Sequence, residues 1–161
     1  MRFFFMKYQR LTKEQFEALH QEFATFLASH SIDKTQWDAL KKEQDNKVEV
    51  LLDEFSDLVW EDVLSKNIYI EHQSPHHLFL FEGLEEHMNL IAIKADVRDK
   101  NIHTAEGWEW LLKHLKDAEV TVYRSSKPYD KERSLELFGI IEKGGQLSAG
   151  ERFKTISSFL S

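Results

Sequence analysis

The sequence predicts an α+β fold in which a small antiparallel sheet, a three-stranded meander plus a fourth strand, is packed with about six helices. Helical periodicity dominates residues 12–65 and returns after residue 104. Between these stretches lie short β-branched and aromatic runs with connections of hairpin length. The helices precede and follow the strands rather than alternating with them, so the βαβ pattern of nucleotide-binding folds is missing.

Three helices are predicted in the first part of the chain. The first begins at Thr12, since Thr12 to Gln15 has the spacing of a capping box, and its apolar stripe continues to Leu27. Asp33 is the expected N-cap of a short second helix. The third helix is expected over about residues 46–65.

The third helix carries acids at two kinds of position. At about 100° per residue, four of them lie opposite the apolar stripe. These four are Asp53, Glu54, Asp57 and Glu61. Asp62 lies near the edge of the stripe, which predicts a partly buried structural acceptor rather than a catalytic acid.

Strands are predicted over residues 68–72, 78–82 and 88–94. The connections at 73–77 and 83–87 are of hairpin length, so these strands should form an antiparallel meander. A helix from Thr104 follows, and residues 119–125 are expected to form the fourth strand.

Two further helices are predicted after Pro128. One runs from about Asp130 to Gly144, a residue suited to a left-handed helix end. The other begins at Ser148, where Ser148 to Glu151 has the spacing of another capping box. Their short glycine-containing connection also has the length found in a helix-turn-helix, whose second helix would carry two bases, Arg152 and Lys154.

The chain has 161 residues, which is the size of one domain, and residues 1–161 are expected to form a single domain. Its formal net charge of -7 disfavours indiscriminate binding to nucleic acid or to an anionic membrane. The absence of cysteine excludes disulfides, thiolate metal sites and cysteine nucleophiles. No apolar run is long enough for a signal peptide or a membrane span, so a cytoplasmic protein is expected.

The residues before Met6 have two interpretations. Translation could begin at Met6, in which case residues 1–5 are an upstream extension carrying an exposed Phe triplet. Otherwise the start of the chain is an ordinary strand or arm docked on the core.

Motifs for nucleotide, phosphate, zinc-protease and serine-hydrolase chemistry are missing, so no catalytic residue is assigned and an enzyme is the less expected class. No cofactor is expected, with a divalent metal as the alternative. That metal site would use His72, His76 and His77 at one end of the meander, with Asp96 or Asp99 completing or orienting them. The simpler interpretation is a polar hairpin loop.

Nearly all the net charge lies between Asp38 and Asp62, where nine acids face three bases. Such a stretch is usually the solvated side of an amphipathic helix, but it could also dock a basic protein partner. An exposed tryptophan beside charge is a frequent interface anchor. The candidate partner-binding residues are therefore Trp60, Trp110, Asp53, Glu54, Asp57 and Glu61.

Four bases surround the loop before the fifth predicted helix, which starts near Asp130, and could hold an anion near that helix start. They are Arg124, Lys127, Lys131 and Arg133. The alternative is an ordinary charged loop in which these bases pair with Asp130 and Glu132.

Two segments carry a resemblance to a known family: Met6-Lys7-Tyr8-Gln9-Arg10-Leu11-Thr12 and Phe55-Ser56-Asp57-Leu58-Val59-Trp60-Glu61. The chain resembles an uncharacterised family of small bacterial proteins, a domain of unknown function, whose members start Met-Lys-Tyr and carry a similar Phe-Ser-Asp-Leu-Val-Trp segment. The resemblance runs from Met6 to the C-terminus, and it implies no activity and no site residue.

The sequence therefore favours a non-enzymatic binding, adaptor or regulatory domain with an unknown protein partner. The first alternative is a metal-dependent hydrolase using the histidines at the hairpin end. The second is DNA binding through the C-terminal helical hairpin, which the acidic total disfavours. The ligand and the oligomeric state are left open.

Overall fold

Residues 5–97 and 100–161 are described by a computed structural model, and within these ranges the chain forms seven helices and five strands. The predicted α+β class is confirmed, with one strand and one helix more than expected. The chain divides into two compact units, one ending at Val63 and the other covering Leu64–Ser161. Each unit has its own cluster of buried apolar side chains.

Helices make up the first unit. They are α1 (Lys13–Ala18), α2 (His20–Ser29), α3 (Lys34–Lys42) and the greater part of α4 (Asn46–Lys66). The predicted capping box is present, since Thr12 Oγ1 accepts from Gln15 N and Gln15 Oε1 accepts from Thr12 N. The single helix predicted from Thr12 to Leu27 was wrong, because the backbone leaves helical geometry at Leu19, with φ -107° and ψ 25°.

Aromatic rings fill the core of this first unit. The ring centroid of Phe23 lies 5.3 Å from that of Trp37 and 5.0 Å from that of Phe55, both in edge-to-face geometry. Such pairs add stabilisation beyond their buried area. Phe23 of α2 therefore connects α3 and α4 in this core.

The sheet belongs to the second unit. Its strands are β1 (Tyr69–Ser74), β2 (His77–Gly83), β3 (His87–Ala95), β4 (Val120–Pro128) and β5 (Gln146–Ser148), in the order β4-β3-β2-β1-β5. All neighbours are antiparallel, so the predicted meander and fourth strand are confirmed. The β1–β2 turn is shorter than predicted, because Ser74 pairs directly with His77.

Three helices flank these strands: α5 (Ala105–Lys113), α6 (Arg133–Glu142) and α7 (Glu151–Leu160). One sheet face carries Leu78, Leu80 and Ile93, which pack with side chains of α5 and α7. On the other face α6 approaches closely enough that a Cβ on Gly83 would meet Leu137 Cδ2 at 2.8 Å. No helix among the described residues is long and apolar enough to cross a membrane.

Between α6 and α7 the structure corrects the sequence analysis. Residues 146–148 form β5, which pairs with β1, so this connection is not the turn of a helix-turn-helix. The capping box predicted at Ser148 was also wrong, since Gly150 is the N-cap of α7. Gly150 has φ 83°, and a Cβ there would lie 2.3 Å from the ring of Tyr69. Glycine is needed at this position for both reasons.

Candidate functional site

The acids of α4 bind the start of the chain. The carboxylate of Asp57, a residue only 9% exposed, accepts hydrogen bonds from Lys7 N at 2.6 Å and Tyr8 N at 2.9 Å. Glu61 accepts from Tyr8 Oη at 2.6 Å and from Lys7 Nζ. Residues 7 and 8 are therefore fastened to α4 through both backbone and side-chain atoms.

The next residues of the chain continue this contact. Arg10 pairs with Asp53 at 2.7 Å, and Leu11 N donates to Ser56 Oγ at 3.0 Å. Trp60 Nε1 donates to Gln9 O at 3.1 Å. Residues 7–11, called the N-terminal arm from here on, thus lie along α4. Both interpretations of residues 1–5 stay predictions, since residues 1–4 lie outside the described residues.

Four of the candidate partner-binding residues therefore bind the arm: Asp53, Asp57, Trp60 and Glu61. Glu54 lies 3.5 Å from the imidazole of His30, within the same unit. A protein partner at this face stays a prediction, and any such partner would share these side chains with the arm.

Asp62 was predicted to be partly buried, but its side chain is exposed. Ser56 and Asp57 are the buried polar residues of α4 instead. Asp57 is buried because the arm covers the helix face that carries it. The apolar periodicity of α4 alone cannot predict this burial, since the covering residues come from another part of the chain.

Trp110 was predicted as an exposed partner-binding tryptophan, yet its half-buried ring packs against the core cluster of the sheet unit. It also stacks on His114, with ring centroids 4.4 Å apart. Much of this indole is therefore already in contact with its own unit.

The histidines at the hairpin end do not converge. The ring of Phe79 lies against both His72 and His77, with centroids 6.0 Å and 6.2 Å away. Within the described ranges no group of three His, Asp or Glu side chains could hold a metal ion. Asp96 is exposed, and Asp99 lies outside the described residues.

The four bases of the proposed anion site are also separated. Arg124 and Lys127 lie three residues apart on β4. Because side chains alternate along a strand, these two point to opposite faces of the sheet. The guanidinium of Arg133 donates to the carbonyl oxygens of Leu64, Asn67 and Gly83, at 2.9 to 3.1 Å. Lys131 is exposed. Arg133 is therefore a structural residue that holds the start of α6.

A different site emerges on the sheet face that α6 covers only in part. Register places Phe81 opposite Leu90, and Leu90 opposite Ser125, so these side chains form a row across β2, β3 and β4. With α6 they enclose a cleft of about 440 Å³, called the sheet cleft below. It is lined by His72, Phe79, Phe81, Met88, Leu90, Ser125, Lys127, Ile140 and Lys143.

The sheet cleft is apolar in its walls and basic at its rim. Phe79, Phe81 and Leu90 are only half buried, which leaves part of their surface accessible from the cleft. Lys127 Nζ lies 3.6 Å from Glu136 Oε1, whereas Lys143 is exposed and has no ion pair within the described part of the chain. Binding sites for small ligands commonly combine such an apolar wall with a few polar groups.

A smaller polar recess of about 340 Å³ lies on the opposite sheet face. Its Glu82 accepts from Tyr69 Oη at 3.0 Å and from Asn89 Nδ2 at 2.8 Å. Burial, and then the hydrogen bond to Glu82, raise the pKa of Tyr69 above its ordinary value. Glu82 is therefore already hydrogen-bonded within the protein, and the recess lacks the large apolar wall of the sheet cleft.

A family model described as a family of unknown function, DUF6495, matches residues 6–161. The chain belongs to this family. The predicted membership of an uncharacterised family is therefore confirmed. No curated protein and no solved structure matches the chain.

The best candidate site of the DUF6495 chain thus lies where the residue pattern was least informative. Phe79, Phe81 and Leu90 were recognised only as strand residues, and alternation alone could have shown that they share a face. That α6 leaves this face partly open depends on tertiary packing. Of the predicted site residues, His72 and Lys127 line the sheet cleft.

Proposed function

We propose that this DUF6495 protein is a non-catalytic binding domain whose sheet cleft holds a small amphipathic anion. The ligand class is a molecule with an aromatic or aliphatic body and one negatively charged group. The observation that carries the proposal is the half-exposed apolar wall of Phe79, Phe81 and Leu90, which lies beside the unpaired ammonium group of Lys143.

The apolar wall supports the first half of this ligand class. A cleft of about 440 Å³ falls in the usual size range for small-molecule sites, about 300 to 1,000 Å³. Covering the exposed parts of two phenylalanine rings and one leucine removes apolar surface from water, which favours binding by about 25 cal/mol for each Å². Aromatic rings also lose little conformational entropy when a ligand orders them.

The basic rim supports the anionic group. Lys127 and Lys143 enter the cleft from β4 and from the end of α6, and none of the described residues that line it is acidic. Lys127 already shares its charge with Glu136, so Lys143 is the cation with the most unused bonding capacity. A carboxylate or sulfonate there would form a charge-assisted hydrogen bond.

The spacing of the polar groups argues against hydrolysis in this cleft. A serine nucleophile needs a base within hydrogen-bond reach. Ser125 is on β4 and His72 on β1, which are separated by β3 and β2. Three strand spacings of about 4.8 Å place them about 14 Å apart.

The proposal is tested by titrating the protein with anilinonaphthalene sulfonate, a fluorescent probe that has an aromatic body and one negative charge. We expect saturable binding at one site. Ser125→Trp fills the cleft and Lys143→Glu reverses its free charge, so each should raise the Kd about tenfold or more. Lys116→Glu is the matched control, because it makes the same charge change at an exposed residue outside the cleft.

Decanoate and decanol separate the two halves of the ligand class, since they share one alkyl chain and differ in charge. Decanoate should displace the probe at lower concentration than decanol, and Lys143→Glu should remove that difference. Equal effects of Lys143→Glu and Lys116→Glu would disprove the anion subsite. Probe binding that survives Ser125→Trp unchanged would disprove the location.

A further inference from the structure

The two edges of the sheet differ sharply. At one edge β5 has three residues, whereas at the other β4 has nine. Short edge strands limit pairing with other chains, and long ones invite it. In the described ranges β4 hydrogen-bonds only to β3, so its outer edge carries no strand.

The backbone groups that point out of this edge follow from two hydrogen bonds. Asp96 N donates to Glu119 O at 2.9 Å. In Glu119 and along β4, the odd-numbered residues therefore direct their backbone N–H and C=O groups toward β3. Antiparallel strands alternate in this respect, and the even-numbered residues therefore present their N–H and C=O groups outward. Val120 fits this alternation, because its N–H does not bond to β3 and donates instead to Asp117 O at 3.1 Å. Val122, Arg124 and Ser126 thus present both groups at the open edge.

We propose that two copies of this chain pair through β4, antiparallel and about a two-fold axis at Tyr123. In this register Val122 faces Arg124 of the second copy, and the two exchange both backbone hydrogen bonds. Ser126 N–H donates to the C=O of Val120. Every outward-facing residue of the central strand then bonds to an outward-facing residue of the other copy.

Side-chain complementarity selects this register. Tyr123, 58% exposed, lies beside its own copy in a close non-hydrogen-bonded pair, which is a favourable aromatic arrangement. Glu119 lies opposite Lys127, and the two-fold axis makes this pair twice. Both residues are exposed and occupy the same sheet face as Tyr123.

Neighbouring registers are worse for stated reasons. A shift of two residues one way sets Arg124 against Arg124, and like charges directly opposite destabilise a strand pair. The same shift the other way sets Val122 against Val122 and Ser126 against Ala118, which precedes the strand, so Ser126 loses its pairing partner. A shift of one residue sets a residue whose N–H and C=O groups point outward opposite one whose groups point toward β3, so these groups cannot pair.

Arg124 and Lys127 could serve merely to keep strands off this edge. Lys127 lies near Asp130 and Glu136 of its own copy. In this register, however, it gains a further acidic neighbour in Glu119 of the other copy.

The test measures molar mass by sedimentation equilibrium from micromolar to near-millimolar protein. We expect the mass to approach double the monomer value as concentration rises. Arg124→Pro removes one outward N–H and no hydrogen bond to β3, so it should leave a monomer. Arg124→Thr keeps the N–H and should still dimerise, which separates the backbone from the side chain.

A charge exchange tests the register independently of any proline effect. Glu119→Lys and Lys127→Glu each set like charges opposite one another and should each weaken dimerisation about threefold or more, whereas the double variant should recover it. Circular dichroism confirms folding of each variant. A wild-type protein that stays monomeric throughout would overturn the proposal. A dimer that survives Arg124→Pro, or a double variant no better than either single one, would overturn it as well.

Discussion

In the unit that ends at Val63 four of the predicted partner-binding side chains bind residues of the same unit, whereas in the sheet unit Lys143 and the outer backbone edge of β4 have no partner among the described residues. Asp57 and Glu61 hold the N-terminal arm. In the sheet unit the walls of the cleft and the outer edge of β4 have no such cover among the described residues. The two units therefore differ in how much of their bonding capacity is already used.

This difference changes the meaning of the acidic region. Its charge is the strongest single signal in the sequence, and it first suggests a docking face for a basic partner. Arg10 alone reaches two of its acids, Asp53 and Glu49, at 2.7 Å and 2.5 Å. Much of the acidity is thus explained by folding, and a binding site is better sought where side chains lack intramolecular partners.

The largest expected effect comes from Asp57→Ala. It leaves the amides of Lys7 and Tyr8 without their acceptor in a mostly buried position, and each unsatisfied group costs about 1 to 3 kcal/mol. We expect the free energy of unfolding to fall by about 3 kcal/mol, as measured by urea denaturation. Hydrogen exchange at both amides should accelerate with it.

Asp38→Ala is the matched control for this variant, since it removes an exposed carboxylate from a helix of the same unit. Its effect should stay below about 1 kcal/mol. If the two substitutions cost the same, the arm is not held as described, and the contrast between the units disappears.

Local signals explain what could be predicted from the sequence. The caps at Thr12 and Asp33 depend on residues three positions away, and both are present in the structure. The meander could be read because its strands are separated by short turns. β5 was not predicted, because three residues are too few to show an alternation of apolar and polar side chains.

The candidate sites depend on contacts between distant parts of the chain. Asp57 is buried by residues 49 and 50 positions earlier, a separation that no helical periodicity can register. The open part of the sheet cleft depends on which strands α6 covers. The residue types at the cleft were visible in the sequence, but their exposure was not.

A second comparison concerns how helices end in the two units. α2 and α3 are followed by Ser31 and Gln44 in left-handed conformation, with φ 60° and 55°, whereas Gly144 follows α6 with φ 109°. A side chain makes this conformation unfavourable by about 1 to 2 kcal/mol, partly offset by glycine's greater freedom when unfolded. Gln44→Gly should therefore raise the free energy of unfolding by about 1 kcal/mol, as measured in urea.

Gly144→Ala is the reverse experiment and should destabilise the protein, because it places a Cβ at an unfavourable φ and 3.0 Å from His72 Nε2. A loss in both variants would mean that Gln44 makes side-chain contacts worth more than its backbone strain. Gains in both would contradict the assigned helix ends.

The smallest expected effect is the pH dependence of the arm contact. Burial raises the pKa of Glu61, but hydrogen bonds from Lys7 and Tyr8 outweigh it and lower the pKa below the ordinary 4.5. A carboxyl whose pKa is lower in the folded state stabilises the protein above its unfolded pKa, and this stabilisation is lost as the pH falls through the folded value. Glu61 is 43% exposed, so solvent screening limits the contribution to a few tenths of a kcal/mol.

This effect is best measured on the residue itself, by following the Glu61 side-chain carboxyl in an NMR titration. Its midpoint should lie below that of glutamate in an unstructured peptide. Tyr8→Phe removes one donor and leaves the aromatic packing, so it should move the midpoint upward while the protein stays folded. A wild-type midpoint at or above the peptide value would mean that burial outweighs the arm's hydrogen bonds. The arm would then hydrogen-bond the carboxylates of α4 less fully than the comparison of the two units requires. The hypothesis that these acids dock a basic protein partner would regain support.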